Sequence, residues 1–219
     1  MNINLTKYKV SVILSVFNRK QKLIRAIKSI LIQTFKNYEL IIIDDGSTDA
    51  VEKILFPILK KHNNFKYIRH SNRHTVLSLN TGLKIAEGEF ITFLDSDDEY
   101  SPEHLEKRVN FFKKNKKVDL IHSPALLEGD EKDFYVIDAR NKKKLIHLND
   151  CIIGATLFGK REVFFELGGF RKIYSYDSDF FRRAKKKFNI EELNIPTYTY
   201  YRDSKDSVLT LIKKKLKNK

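Results

Sequence analysis

The sequence is short of cysteine and of long apolar runs. One cysteine, Cys151, stands among 219 residues. No intrachain disulfide can form, and a cysteine-based zinc site is excluded. The N-terminal apolar run, Val10 to Phe17, is too short to span a bilayer, and no small-residue cleavage site follows it. No other stretch reaches membrane-span length, so the expectation is a cytoplasmic protein without an embedded segment. Glycine-rich phosphate loops are missing too. "SVFNRKQK", after the first apolar run, has no glycine, and no P-loop or dinucleotide fingerprint occurs. That speaks against a nucleotidyltransferase. No internal repeat or low-complexity linker marks a domain boundary.

What the chain has in excess is positive charge. Lys and Arg number 42 against 28 Asp and Glu, a formal net charge of +14. Such a balance favours acidic partners: nucleic acid, an anionic lipid surface or phosphorylated small molecules. A nucleic-acid-binding module is the reading from another class. It lacks zinc ligands, an aromatic RNP-like strand and an isolated helix-turn-helix, so no nucleic-acid partner is expected. The hydrophobic fraction, 42%, suits one sizeable α/β domain.

The first half alternates two periodicities. Strands are expected at 8–17, 38–44, 65–70 and 89–95, from β-branched and apolar runs. Helices are expected at 19–35, 47–62 and 75–86. In the first of these, apolar residues at 23, 24, 27, 30 and 31 line one face. Ser47, Thr48 or Asp49 is the expected cap of the second, and Pro57 a kink or break in it. This order implies a mostly parallel sheet covered by helices. Ligands of such sheets bind beyond the carboxyl ends of the strands.

Three polar clusters fall at those ends: Phe17-Asn18-Arg19, Asp44 to Ser47, and Asp95 to Asp98. The last is the densest, because Asp95, Asp97, Asp98 and Glu99 follow the buried run "FITFL". Mg2+ or Mn2+ takes one or two carboxylates plus water and substrate phosphate, and an Asp-x-Asp at a strand end can supply them. The plainer reading is a solvated, Asp-rich turn.

The second half is less regular. A helix at 101–115 is expected, with Ser101 as cap and Pro102 at its first position. Strands at "VDLIHSPALL" and "DFYVIDA" follow. A strand and short helix at 152–170, stopped by Gly168-Gly169, come next. A helix at 178–188 and an extended run at 193–202 complete the reading. The tail, 205–219, is basic and amphipathic, and can lie on an anionic membrane surface. That makes peripheral contact with the inner face of a membrane an expectation.

"VSVILSVFNR", "SILIQTFKNYELIIIDDGSTD" and "NTGLKIAEGEFITFLDSDD" together resemble the family 2 glycosyltransferases. The resemblance is close over 9–102 and looser through "GGF" and "YDSDFFRR". It implies a single GT-A domain over 1–219. About 8–100 would bind the nucleotide sugar, and about 101–204, a smaller mixed region, the acceptor. It implies inverting transfer of one sugar from a nucleotide diphosphate, UDP by expectation, to a glycan or lipid-linked acceptor. Assembly of surface polysaccharide, lipopolysaccharide or glycoprotein glycan would be compatible.

By that analogy Ser15 and Phe17 lie beside the base, and Asp45 accepts a hydrogen bond from it. Asp95 sits near the ribose and the metal, Asp97 is the main ligand of Mn2+ or Mg2+, and Arg202 closes over the diphosphate. The family usually carries Glu-Asp after "GGF". This chain has Tyr176-Asp177, so the general base falls on Asp177, with Asp179 as the rival. Leu79 stands where the family often has Arg. Those two departures keep a catalytically impaired relative in play. With no Trp and no membrane span, the chain lacks the marks of the processive synthases.

Overall fold

The computed structural model describes residues 7–138, 141 and 143–202. The tail at 205–219 therefore lies outside the described residues.

The first half follows the periodicity. Strand β1 (Tyr8–Val16), helix α1 (Lys20–Leu31), β2 (Tyr38–Asp44), α2 (Glu52–Leu59), β3 (Phe65–Arg69), α3 (Thr75–Ile85) and β4 (Gly88–Asp95) alternate as expected. β1 lies between β2 and β4, parallel to both, and β3 extends the parallel edge beyond β2. The second half adds β5 (Glu99–Tyr100), α4 (His104–Lys114), β6 (Leu120–His122), β7 (Leu126–Glu128), β8 (Tyr135–Ile137) and β9 (Leu145–His147). It ends with β10 (Phe158–Lys160), α5 (Arg161–Glu166), α6 (Tyr176–Ala184), β11 (Ile190–Glu192) and β12 (Tyr198–Tyr201).

These elements make a seven-stranded sheet, in the order β11-β6-β10-β4-β1-β2-β3. β10 runs antiparallel between β4 and β6; the other pairings are parallel. A three-stranded sheet, β5-β12-β7, and the hairpin β8-β9 stand beside it.

Alternate strand residues feed two cores, one on each face of the large sheet. Val10, Val12, Leu14 and Val16 pack with Leu23, Ile27 and Ile30 of α1 and with Leu105 and Val109 of α4. Ile13, Ile41, Ile43, Ile91 and Phe93 pack on the other face with α3, α5 and Phe180 of α6.

Several helix starts differ from the sequence reading. Ser47, Thr48 and Asp49 do not cap α2, which begins at Glu52 after Val51. Their polar atoms serve the loops instead. Ser47 Oγ accepts from the Asn18 amide at 3.0 Å, and Asp49 Oδ2 accepts from the Lys20 amide at 2.8 Å. Pro57 lies inside α2, which ends two residues later at Leu59. Ser101 does not cap α4, since its carbonyl instead accepts the His104 amide in a turn ahead of the helix. Helix α6 starts earlier than expected, after Ser175 in a left-handed conformation (φ 58°), and carries Asp177 in its first turn.

Candidate active site

Strand parity assembles the site. Ser15, Asp45 and Asp95 continue the odd-numbered rows of Ile13, Ile43 and Phe93, on the face covered by α3, α5 and α6. Ser15 sits in register with Asp95 on one side and Ile43 on the other. Asp44 belongs to the opposite row. It is buried, accepts the Tyr67 hydroxyl at 2.7 Å and the Ser47 amide at 2.7 Å, and is structural.

The acid run after β4 divides the same way. The Asp98 amide closes a turn on the Asp95 carbonyl. Asp98 is fully buried, and its oxygens take the Tyr198 hydroxyl at 2.5 Å and the Tyr201 amide at 2.8 Å. Burial, then the charges of Asp95 and Asp97, push its carboxyl well above the usual range. Asp98 thus anchors the turn to β12. Asp95 is pushed up to about 7, first by desolvation and then by the charges of Asp97 and Asp177. The three carboxylates therefore lie close enough for the charges of Asp97 and Asp177 both to act on Asp95. Asp97 is partly exposed, and Arg25 of α1 donates to its carbonyl while lying over the Tyr201 ring at 3.3 Å. Arg25 therefore fixes the turn from behind.

Asp177 comes from α6. It accepts from the Ser178 amide at 2.7 Å and the Gly154 amide at 3.3 Å, yet desolvation leaves its carboxyl raised. Gly154 matters by its size, since a Cβ there would stand 3.1 Å from Asp177 Cβ. Asp179, two residues on, is set apart by its partners. Burial would push it up, but Arg183 and Arg182, each 2.8 Å away, outweigh that and hold it below the usual range. A carboxylate locked between two guanidiniums is a poor proton acceptor, so the rival base is disfavoured on chemistry.

The segment before α6 is pinned twice. Asn80 of α3 donates to the Phe170 carbonyl at 2.8 Å and accepts the Phe170 amide at 2.9 Å. Arg183 donates to the carbonyls of Leu167 and Gly169 at 2.7 and 2.8 Å. Gly169 is left-handed (φ 71°), and a Cβ there would meet Asn80 Oδ1 at 2.4 Å. Only glycine admits that clamp.

Past the end of β2, Asp45 is 2% exposed. Its two oxygens accept the backbone amides of Arg73 and His74 at 2.7 and 2.9 Å, so it orders the loop between β3 and α3. Gly46 allows that loop to approach, because a Cβ would lie 2.9 Å from the Asn72 nitrogen. Phe17 is 44% exposed just past β1. Arg202 is buried at the end of β12, and its Nε donates to the Asp133 carbonyl at 2.9 Å. Tyr200 links it to the acids: after burial, the charges of Asp98, Arg202, Asp95 and Asp97 act on this phenol.

Sequence reasoning gave no role to Arg25, Asn80, Arg183, Tyr198 or Tyr200, and Tyr176 entered only as a departure from the family's usual Glu. Tyr198 and Tyr200 were findable, since "TYTYY" places them on one strand face. Tyr176 packs edge-on against Phe170 at 5.4 Å; burial, then the charges of Asp95 and Asp177, raise its phenol well above the ordinary value. It borders both carboxylates where the family usually has Glu.

Residues 11–209 match the sequence profile described as Glycosyl transferase family 2. The chain belongs to that family. An uncharacterized glycosyltransferase of Rickettsia conorii is 46% identical to this family 2 glycosyltransferase over 107 residues, 49% of this chain and 18% of that protein. Poly(ribitol-phosphate) beta-N-acetylglucosaminyltransferase TarP of Staphylococcus aureus is 42% identical over 126 residues, 55% of this chain and 38% of that protein. Among solved structures, S. aureus TarS 1-349 in complex with UDP-GlcNAc matches with TM-score 0.72 at 21% identity, covering 93% of this chain and 60% of that one. Mannosyltransferase PcManGT from Pyrobaculum calidifontis, in complex with GDP-Man and Mn2+, matches with TM-score 0.69 at 17% identity, covering 90% and 58%. The family 2 chain described here thus spans less than two thirds of each of these relatives. The fold is GT-A, as the sequence implied. Among the described residues, no helix is long and apolar enough to cross a membrane.

Proposed function

We propose that this glycosyltransferase moves one sugar from a UDP-sugar to an acceptor hydroxyl with inversion at the anomeric carbon. The observation that carries the reading is the grouping of Asp95 and Asp97, at the end of β4, with Asp177 in the first turn of α6, near enough for the charges of Asp97 and Asp177 to act on Asp95. In the proposed step the acceptor oxygen attacks the anomeric carbon, the bond to the diphosphate oxygen breaks, and the acceptor proton passes to Asp177. Asp177 suits a base because its carboxyl is raised and no cation is bonded to it in the described structure.

Asp95 and Asp97 fit a hard divalent cation. They offer two carboxylates whose mutual repulsion a cation would relieve, with the remaining positions left to water and phosphate. Mn2+ in the Pyrobaculum neighbour supports that fit. Bound there, the ion would supply charge neutralisation to a departing diphosphate. Ser15 and Phe17 would border the base. Asp45 would accept its N–H through Oδ2, which keeps a second lone pair beyond the His74 amide, because Oδ1 takes the Arg73 amide and also has His70 Nδ1 at 3.4 Å. Arg202 would face the diphosphate beyond Tyr200. The titles of the TarP and TarS relatives make UDP-GlcNAc the first donor to try.

Calorimetric titration of UDP with Mn2+, and then with EDTA, tests the donor half of this reading. Binding that requires the metal in the native protein and disappears in Asp97→Ala is expected. Equal UDP binding with and without metal would remove the role assigned to Asp95 and Asp97.

A further inference from the structure

Four of the large apolar side chains left exposed lie in one corner of the molecule. Tyr135 and Leu145 are 39% and 55% exposed, Ile173 and Tyr174 48% and 40%. The first two belong to the hairpin β8-β9. Tyr135 pairs with His147, and Ile137 with Leu145, so these four share one face while Val136 and Ile146 share the other. The Tyr135 and His147 rings meet edge-on at 5.1 Å. Val136 is buried, which fixes the Tyr135 and Leu145 face outward. The Tyr174 hydroxyl donates to the Ile137 carbonyl at 3.1 Å, directly across from Leu145. The hairpin face and the Ile173-Tyr174 loop are therefore continuous. Tyr174 precedes Asp177 by three residues, so this surface borders the mouth of the candidate active site.

Exposed cations accompany each aliphatic side chain. Lys143 and Lys144 precede Leu145, and Arg171 and Lys172 precede Ile173. Arg171 also lies 3.9 Å from Asp179, yet its side chain remains 66% exposed. The acidic stretch Asp130 to Asp133 lies at the opposite end of β8 from Leu145, and Asp130 pairs with Lys132. Asp138, by contrast, adjoins the Leu145 end, where its amide donates to the Lys144 carbonyl at 3.0 Å, and is one acid among these exposed cations.

We propose that the outward face of β8-β9 and the Arg171–Tyr174 loop together dock on an anionic lipid bilayer. Aliphatic side chains flanked by lysine, with tyrosine beside them, match the interface between acyl chains and headgroups. The lysines add attraction to anionic headgroups, and the net charge of +14 adds a general field. A soluble glycan is the competing occupant. It would use the tyrosine faces, but it gives exposed Leu145 and Ile173 nothing to contact. The surface is built from residues that the structure describes.

Sedimentation of the full chain with phosphatidylglycerol-containing vesicles, and separately with pure phosphatidylcholine vesicles, tests this without any donor. The native protein is expected to partition onto the anionic vesicles, with little on the neutral ones. The double variant Leu145→Glu/Ile173→Glu should bind about tenfold more weakly, with an unchanged thermal melt because both side chains are exposed. Lys143→Glu/Lys172→Glu should weaken binding in a salt-dependent way. Full binding by the Leu145/Ile173 variant would place the contact elsewhere and overturn the proposal. So would native protein that ignores anionic vesicles, or that is retained only by soluble oligosaccharide.

Discussion

Between Tyr8 and Asp95, strands of five to nine residues alternate with helices, and backbone periodicity alone aims the side chains. From Glu99 on, no strand among the described residues exceeds four residues. There the chain is held by individual polar contacts: Asp98 on Tyr198, Asn80 on Phe170, Arg183 on Gly169, and buried Arg108 on Thr197 and Ser123. The first half of the chain is positioned by a sheet, and much of the second by side-chain clamps. A sheet tolerates single substitutions, because neighbouring ladder bonds persist. A clamp has no such reserve.

The largest effect should come from within one helix of the clamped half. Asp177→Asn is expected to lower the transfer rate about a thousandfold, with UDP affinity unchanged by calorimetry. Asp179→Asn should reverse the pattern, lowering the melting temperature through lost ion pairs while the rate per folded molecule stays within a few-fold. A slow Asp179→Asn enzyme beside an active Asp177→Asn enzyme would exchange the two roles.

Asn80→Ala tests the clamp itself. It leaves the amide and carbonyl of Phe170 without partners, which should cost about 1–3 kcal/mol by chemical denaturation. Turnover should fall more than UDP affinity, because the loop released leads into α6, which carries Asp177. Equal loss of affinity and turnover would mean the two halves of the chain are not positioned independently.

The smallest effect concerns His104, fully buried on α4 and stacked on Tyr100 at 3.6 Å. Burial, then the charge of Arg108, holds its imidazole well below the ordinary value. The folded state thus resists protonation while the unfolded state takes a proton below about pH 6.5. Stability should be full above that pH and fall as the pH drops below it. His104→Phe should flatten the decline in melting temperature between pH 7 and pH 5. An unchanged slope would show that other groups set it.

The same contrast explains what could be read beforehand. The parallel order, and the strand ends at Asp44 and Asp95, follow from β-branched runs and helical spacing. The roles proposed for Asp95, Asp97 and Asp177 came from motif likeness, because no local pattern links residues so far apart. Helix starts were misread where Ser47, Asp49 and Ser101 looked like caps. Their polar groups serve other loops, a use that only tertiary contact decides. Arg25 and Asn80 lay on helices that periodicity had located, but periodicity does not say which polar side chain crosses to another element.

Strand β10 carries a practical consequence. It comes from the second half of the chain, yet it is stitched between β4 and β6 of the large sheet. A fragment ending near residue 100 would leave one side of β4 unpaired from Phe90 to Thr92 and expose Phe90, which stacks on Phe158 at 5.4 Å. An uncovered strand of that kind recruits other chains. The first half of the chain is thus better studied by point substitution than by dissection. Motion between the two halves of the chain is correspondingly confined to loops, because a swing of one half would tear hydrogen bonds from a shared sheet.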